Sequence, residues 1–235
     1  AAKEAQSVAP DPVLLAEIER RLGYEYPFAQ LEGVVAKRIA SKLDPTEADS
    51  EYFASRRPSF AGRGRLTPAQ RGTATHRFMQ YADYSRACRS VADELVRLTE
   101  SGMLTAEEAN AVDARAVARF FDSGLYARMS RAERIYKEYS FTCSVPVSEL
   151  YSQLPCGLAD GEVVLIEGVA DCAFVEGGEL VVVDYKTDKA SSAAELAERY
   201  GAQLGIYRRC LAEVLGMPVK ETVIYSFRLN ESITL

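Results

Sequence analysis

One predicted β-hairpin constrains this chain more than any other segment. Residues 163–188 read VVLIEGVADCAFVEGGELVVVDYKTD, so two apolar, β-branched runs flank the pair Gly177-Gly178. A Gly-Gly pair between such runs predicts a two-residue turn. That turn places Asp171 directly opposite Asp184. Lys186 then shares the face of Asp184, because side chains alternate along a strand.

The two facing aspartates indicate a bound cation. Directly opposite side chains have Cβ atoms about 4.5–5.5 Å apart, and like charges at that distance are destabilising. Asp171, Asp184 and Lys186 therefore suggest an oxygen-ligated divalent metal beside a basic group. The alternative is a surface hairpin with two solvated aspartates. The apolar run at residues 181–183 disfavours it, since residues apolar on both faces are typical of a strand buried in a sheet.

Composition excludes several classes of protein. The chain has 235 residues and a net charge of −6, which argues against a protein that coats nucleic acid through its overall field. It contains no P-loop, no H-E-x-x-H pair, no G-x-S-x-G elbow and no apolar stretch long enough to cross a membrane. Five cysteines, odd in number and widely scattered, predict reduced thiols in a cytoplasmic protein rather than a disulfide framework or a zinc site.

An arginine-rich segment precedes the hairpin. Eight arginines and a single acid lie between Arg56 and Arg89. They could bind phosphate, since the guanidinium fork suits it, or form a solvated loop followed by an ordinary helix face. The only histidine, His76, falls near the start of the helix in this segment. With Arg71 and Arg77 it could face a phosphate, although a lone helical histidine is more often a surface or core residue.

The order of predicted elements indicates one α/β domain. Helices are expected at residues 12–22, 28–43, 67–99, 105–121 and 130–136, with a long loop at 45–68. Strands follow from residue 139 through the hairpin, then a helix at 192–215 and a strand at 222–227. We therefore predict a single domain over residues 1–235, with a helical half (1–137) wrapped on an α/β core (138–235). The missing initiator Met suggests a fragment of a longer protein.

Four motifs in order resemble the RecB-type branch of the PD-(D/E)XK nucleases, and within it the nuclease domains of AddA-type helicase–nucleases. They are Gly72-Thr73 with His76, Gly168-Val-Ala-Asp171, Asp184-Tyr-Lys186-Thr and Tyr200 with Gln203 and Tyr207. Each motif alone is modest, and the resemblance covers nearly the whole chain. It implies a restriction-endonuclease-like fold, a mixed sheet flanked by helices.

The resemblance also implies a role for each matching residue. His76, Asp171, Asp184 and the Tyr185 carbonyl would ligate Mg²⁺, which Mn²⁺ could replace. Lys186 would orient the attacking water or stabilise charge on the phosphate, and Gln203 and Tyr207 would position DNA or brace the site. Four arginines are expected to contact the strand: Arg63, Arg65, Arg71 and Arg77.

The family further implies a substrate and partners. The expected reaction is hydrolysis of single-stranded DNA during processing of double-strand breaks, by an exonuclease in the bacterial cytoplasm. A helicase motor and an AddB-like partner subunit would complete the enzyme, with no role for a membrane. Many relatives bind an iron–sulfur cluster through four cysteines, but the cysteines here do not fit, so we expect no cluster. Two alternatives stay open: a non-catalytic DNA-binding or scaffold module of the same fold, and a nuclease that acts on RNA.

Overall fold

The computed structural model describes residues 11–40 and 67–235, apart from residues 152 and 156. The chain divides into two compact units, one formed by Ala1–Val35 with Pro146–Glu162 and the other by Ala36–Val145 with Val163–Leu235. The expectation of one domain over residues 1–235 stays a prediction. No helix in the described ranges is both long and apolar enough to span a membrane.

The regular elements lie in the following order. They are α1 Pro12–Leu22, a 3₁₀ helix Ala29–Leu31, β1 Lys37–Ile39, α2 Pro68–Tyr81, α3 Tyr84–Ala87, α4 Val91–Glu100, α5 Ala106–Ala111, α6 Ala114–Phe121, α7 Gly124–Met129, β2 Arg134–Pro146, α8 Val147–Leu150, β3 Val163–Glu176, β4 Glu179–Lys186, α9 Ala193–Leu215, β5 Val219–Ser226 and β6 Glu231–Thr234.

The smaller unit contains α1, the 3₁₀ helix and α8. The prediction of a helix at 12–22 is confirmed: the Asp11 side chain caps its first turn, and Pro12 occupies the first helical position. Its apolar residues are exposed, with Leu22 82% accessible. Near the other end of the unit, the Tyr151 hydroxyl accepts a hydrogen bond from the Val35 amide at 3.3 Å.

The prediction of a helix over residues 28–43 is wrong. In the described part of this range, residues 28–40, the helical segment is Ala29–Leu31, and β1 pairs in parallel with Leu165–Glu167 of β3. Backbone hydrogen bonding to the sheet overrides the helical spacing of the apolar residues. This pairing depends on residues distant in sequence, so a short stretch of sequence cannot predict it. Residues 41–43, and the predicted loop at 45–66, lie outside the described residues.

The larger unit is built on a six-stranded mixed sheet in the order β1-β3-β4-β5-β6, with β2 also pairing with β3. The β3–β4 and β5–β6 pairs are antiparallel, whereas β1–β3 and β4–β5 are parallel. The long helix α9 connects the parallel pair β4 and β5, as parallel pairing requires a crossover. The expected mixed sheet with flanking helices is confirmed.

The hairpin has the predicted register. Cys172 pairs with Val183 and Glu176 with Glu179, so Gly177 and Gly178 form the two-residue turn. Both glycines have positive φ, at 64° and 78°, as a type I′ turn demands. Continuing the same register brings Asp171 opposite Asp184.

Strand β4 is buried on both faces. Val181, Val183 and Tyr185 join a core cluster that also contains Phe78 and Phe120 from the helical layer. The alternate residues face α9, where the Lys186 ammonium lies 3.9 Å from the Tyr200 ring centroid. Burial on two faces explains the near-continuous apolar run and excludes the solvated-hairpin alternative.

The helical half is more segmented than predicted. The helix expected over 67–99 is three helices (α2, α3 and α4), and the one over 105–121 breaks before Asp113, whose carboxylate caps α6. The helix expected at 130–136 is wrong, because β2 begins at Arg134. Short polar residues that cap new helices account for the breaks.

One disulfide was not predicted. Cys143 on β2 is joined to Cys210 on α9, with Cα atoms 5.5 Å apart. The expectation of reduced thiols is wrong for this pair, which lies 67 residues apart in sequence and in no recognisable spacing. Of the other described cysteines, Cys88 and Cys172 are free.

Gly168 leaves room for an aromatic ring beside the sheet. A Cβ at this position would lie 2.4 Å from Cζ of Phe141 and 3.0 Å from the Ala40 Cβ. The Phe141 ring is itself held against Tyr207, with ring centroids 5.2 Å apart. The glycine of the Gly168-Val-Ala-Asp171 motif therefore serves packing.

Replacing Gly168 with alanine should lower the free energy of unfolding by about 1–3 kcal/mol, because the buried Phe141 ring must shift. Urea unfolding followed by circular dichroism measures this change. Gly205→Ala is the matched control: it lies inside α9 with open space around the added methyl, so it should stabilise by up to about 1 kcal/mol. Equal effects of the two substitutions would contradict the packing role.

Candidate metal and catalytic site

Asp171 is held from two sides. Its Oδ1 lies 3.1 Å from His76 Nδ1 on α2, and its Oδ2 accepts a hydrogen bond from the Tyr185 amide at 2.8 Å. Burial alone would raise the pKa of Asp171, but the His76 charge and these hydrogen bonds hold the pKa below its usual value. The helix and the hairpin thus meet at this carboxylate.

Asp184 and Lys186 form the second part of the site. Lys186 Nζ lies 3.3 Å from Asp184 Oδ2, and both side chains are mostly buried. Burial raises the pKa of Asp184 to about 6, with the neighbouring Asp171 adding to the rise and Lys186 opposing it. Among the described residues, Asp184 Oδ2 has no well-aligned hydrogen-bond donor.

Glu138, an acid near the predicted strands to which the sequence patterns assigned no role, joins the site. It lies on β2 with φ of 45°, the left-handed region that a glutamate rarely adopts. Ligand atoms of Glu138, His76 and Asp171 all lie within 4.8 Å of one another. The strained backbone places its carboxylate beside the other two groups. A long-range contact of this kind leaves no spacing signal in the sequence.

These donors fit a divalent cation. Oxygen-rich sites with one imidazole suit Mg²⁺ or Mn²⁺ rather than softer metals. The buried Asp184 oxygen that lacks an aligned donor is the kind of atom that a cation would satisfy. Asp184 does not belong to the group formed by His76, Glu138 and Asp171, but its negative charge helps to raise the pKa of His76.

His76 and Glu138 both have raised pKa values and therefore hold their protons tightly. Burial disfavours the charged form of His76, yet the adjacent Asp171 carboxylate raises the pKa of His76 to about 9. Burial, reinforced by Asp171, raises the pKa of Glu138 to about 7. At neutral pH the His76 imidazolium therefore offsets the carboxylates, and a metal bound through this imidazole would displace its proton.

Helix α9 supplies the remaining predicted residues. The Gln203 amide donates to the Tyr207 hydroxyl at 3.0 Å, and both side chains are buried on the face toward the sheet. Burial first, and then the charge of Asp184, raise the pKa of Tyr207 above its usual value. The Tyr200 hydroxyl donates to Asp188, which fixes the ring beneath Lys186.

The residues expected to bind DNA fall into three groups. Arg63 and Arg65 lie outside the described residues. Arg77 is held by Glu108 at 2.5 Å and by the Met103 carbonyl at 3.1 Å, so its guanidinium is engaged within the protein. Arg71 lines a cavity near the site. Their roles in DNA binding stay predictions.

Two further positions show how α2 reaches the sheet. A Cβ on Gly72 would lie 2.9 Å from Thr187 Oγ1, so the glycine permits close approach of helix and strand end. The helix begins with a capping box between Thr67 and Gln70 and with Pro68 at its first position. The predicted start of this helix is confirmed, and His76 lies two turns along it.

Residues 50–233 match the PD-(D/E)XK nuclease superfamily. The chain belongs to this superfamily. Nucleases of this class use divalent metals, in agreement with the carboxylates and imidazole gathered at the hairpin.

Several curated relatives are similar to the chain, and they share a name that describes one subunit of an ATP-dependent helicase/nuclease. The relative from Geobacillus thermodenitrificans is 33% identical over 90% of the chain and 19% of the relative. The protein of the same name from Desulforamulus reducens is 33% identical over 95% of the chain, again 19% of the relative. The chain thus spans about a fifth of these relatives' length. A solved structure titled "Crystal structure of SSO0001" is 12% identical to the chain, with a TM-score of 0.30. The match covers 90% of this chain and 68% of the solved one.

Metal stabilisation should grow with pH. The pKa values of Asp184 (about 6), Glu138 (about 7) and His76 (about 9) are all raised, so the folded state holds these protons more tightly than the unfolded chain does. Stability from this source is therefore present at low pH and is lost as the pH rises toward about 9. Mg²⁺ competes with the protons and should restore stability at the alkaline end.

Thermal unfolding with and without Mg²⁺, at pH of about 6 and about 8.5, measures this dependence. We expect the Mg²⁺-induced rise in Tm to be larger at the higher pH and to disappear in Asp171→Asn. A rise that is equal at both pH values, or unchanged in the variant, would contradict this assignment of the site.

Proposed function

We propose that the chain is a Mg²⁺-dependent DNA nuclease domain that hydrolyses phosphodiester bonds of single-stranded DNA. One observation carries the proposal: the ligand atoms of His76, Glu138 and Asp171 lie within 4.8 Å of one another, in a superfamily of nucleases. The Lys186–Asp184 pair belongs to the same hairpin. Mn²⁺ is expected to replace Mg²⁺.

The protein groups divide the chemistry between them. His76, Glu138, Asp171 and Asp184, with the Tyr185 carbonyl, would hold the cation. When bound, the cation would lower the pKa of a water and neutralise charge on the scissile phosphate. Lys186 contributes a fixed positive charge, which would orient the attacking water or stabilise the phosphate as negative charge develops.

The surroundings of Lys186 keep its ammonium in place. The Asp184 carboxylate contacts it at 3.3 Å, and the Tyr200 ring lies 3.9 Å away. Asp188 fixes the Tyr200 hydroxyl in turn. On the same helix, Gln203 and Tyr207 are buried and hydrogen-bonded to each other, which supports the bracing role expected of them. These contacts limit the rotamers that Lys186 can adopt, and a pre-positioned cation acts without reorganisation.

The biological role we propose follows from the relatives. They are described as subunits of an ATP-dependent helicase/nuclease, of which the chain matches about a fifth. We infer that the domain degrades, as an exonuclease, a strand delivered by a helicase motor during double-strand-break repair in bacteria, together with an AddB-like partner. We expect no iron–sulfur cluster.

Cleavage of end-labelled single-stranded DNA by the 235-residue chain tests the proposal. Mg²⁺-dependent cutting should fall by about 10²–10³-fold or more in Asp184→Asn and in Lys186→Ala. The matched control is Glu167→Gln: this carboxylate lies on β3 four residues before Asp171 and pairs instead with Lys37 at 2.7 Å, so cutting should persist.

The outcomes separate the alternatives. A wild-type chain that binds DNA and never cuts it with Mg²⁺ or Mn²⁺ would refute the proposal for this chain and favour a binding or scaffold module. Faster cleavage of a matched RNA would identify a ribonuclease. Unchanged cutting in Asp184→Asn would remove this carboxylate from the site.

A further inference from the structure

A cavity lined by several positively charged residues lies in the larger unit of the fold. It has a volume of about 480 Å³ and lies between the first turns of α2, the helix α6 and the loops that follow β4 and β5. Four cationic residues line it: Arg71, Arg119, Lys189 and Arg228. They come from four separate segments of the chain, so their convergence is a product of the fold rather than of one charged run.

The cations around this cavity outnumber the acids. None of the four forms an ion pair with a described residue, and the one acid that lines the cavity is Asp113. Its carboxylate already accepts hydrogen bonds from the amides of Arg115 (3.1 Å) and Ala116 (3.0 Å) as the cap of α6. Several like charges around one cavity repel each other, and an anion relieves that repulsion.

The cavity lies next to the catalytic residues along the chain. Thr187, on its wall, directly follows Lys186, and Thr75 directly precedes His76. The Phe227 amide donates to the Lys186 carbonyl at 2.9 Å, so the turn that carries Arg228 is tied to the catalytic lysine. Strands β4 and β5 run parallel, and their carboxyl ends therefore bring Lys189 and Arg228 to the same edge of the sheet.

We propose that this cavity binds the sugar–phosphate backbone of the DNA strand, at a nucleotide flanking the scissile phosphate. Arg119, Lys189 and Arg228, with Arg71, are positioning residues that hold the strand in register with the Lys186 and Asp171 side chains. The inference rests on the proposed nuclease function but concerns binding rather than cleavage. Arginine is suited to this task because its planar fork binds phosphate through two hydrogen bonds.

Three features favour a strand of DNA over a small anion. The cavity is larger than one phosphate group needs, its cations are spread over several walls, and one wall is the apolar ring of Phe227. An extended sugar–phosphate backbone would fill the larger volume and contact cations on several walls, and an adjacent sugar or base would pack against Phe227. The positive end of the α2 dipole at Pro68 adds to the attraction for phosphate.

Binding of a fluorescein-labelled, single-stranded 20-nucleotide DNA to the 235-residue chain tests the proposal. Fluorescence anisotropy in EDTA, over a series of salt concentrations, measures the Kd without cleavage. The double variant Arg119→Ala/Arg228→Ala should raise the Kd at least about tenfold. The logarithm of the association constant falls linearly with the logarithm of the salt concentration. Loss of two phosphate contacts should make this slope less steep by about 1.4, because each contact to a single strand contributes about 0.7.

Arg115→Ala is the matched control. Arg115 is also an exposed arginine on α6, one turn from Arg119, but it does not line this cavity. Its Kd and salt slope should stay at the wild-type values. In Mg²⁺, the double variant should show a raised KM with kcat within about threefold of wild type, which a merely structural defect would not produce.

The result separates this inference from the proposed function. Weaker binding in the double variant supports the cavity as a strand site, even if the wild-type chain never cuts. Wild-type Kd and slope in the double variant overturn the strand site, even if the wild type cuts and Asp184→Asn does not. An equal loss of affinity in Arg115→Ala would also overturn it, since the effect would then be one of net charge.

Discussion

The crowding of negative charge around Asp171 is the constraint on which the rest of the site depends. Three carboxylates from β2, β3 and β4 converge on one region, and the protein offsets them with His76, Lys186 and the Tyr185 amide. Burial, with the charge of Asp171 adding to it, raises the pKa of Asp184, and the Asp171 carboxylate raises the pKa of His76 against the effect of burial. A divalent cation would offset the repulsion between these carboxylates more fully than a proton does. The same cluster of carboxylates therefore accounts for both the shifted pKa values and the proposed metal site.

The fold holds these charges by burying β4 on both faces. Its odd-numbered residues anchor the helical layer that carries His76, and its even-numbered residues face α9, which carries Gln203 and Tyr207. Two glycines make the approach possible: Gly168 beside Phe141 and Gly72 beside Thr187. The same edge of the sheet that presents Lys186 also presents Lys189 and Arg228, so the residues proposed for cutting and two of those proposed for positioning the strand share one support.

Local patterns predicted the hairpin well, because a Gly-Gly turn fixes the register and alternation then fixes the faces. The same was true of the capped start of α2 and of the long helix α9, which begin with strong capping residues. What could not be predicted depends on contacts distant in sequence. Segment β1 is a strand because it pairs with β3. Glu138 on β2 reaches the site with its own backbone in the left-handed region. Cys143 forms a disulfide with Cys210, 67 residues away in sequence. The convergence of Arg119, Lys189 and Arg228 is of the same kind.

The most direct test of the central claim is a calorimetric titration of Mn²⁺ into the 235-residue chain, repeated in two buffers with different ionisation enthalpies. The difference between buffers gives the number of protons released. We expect one or more protons released per cation bound near pH 7.5, weaker binding in Glu138→Gln and none in Asp171→Asn. Mn²⁺ binding without proton release, or binding that both variants retain unchanged, would contradict the claim that this charged cluster is a metal site.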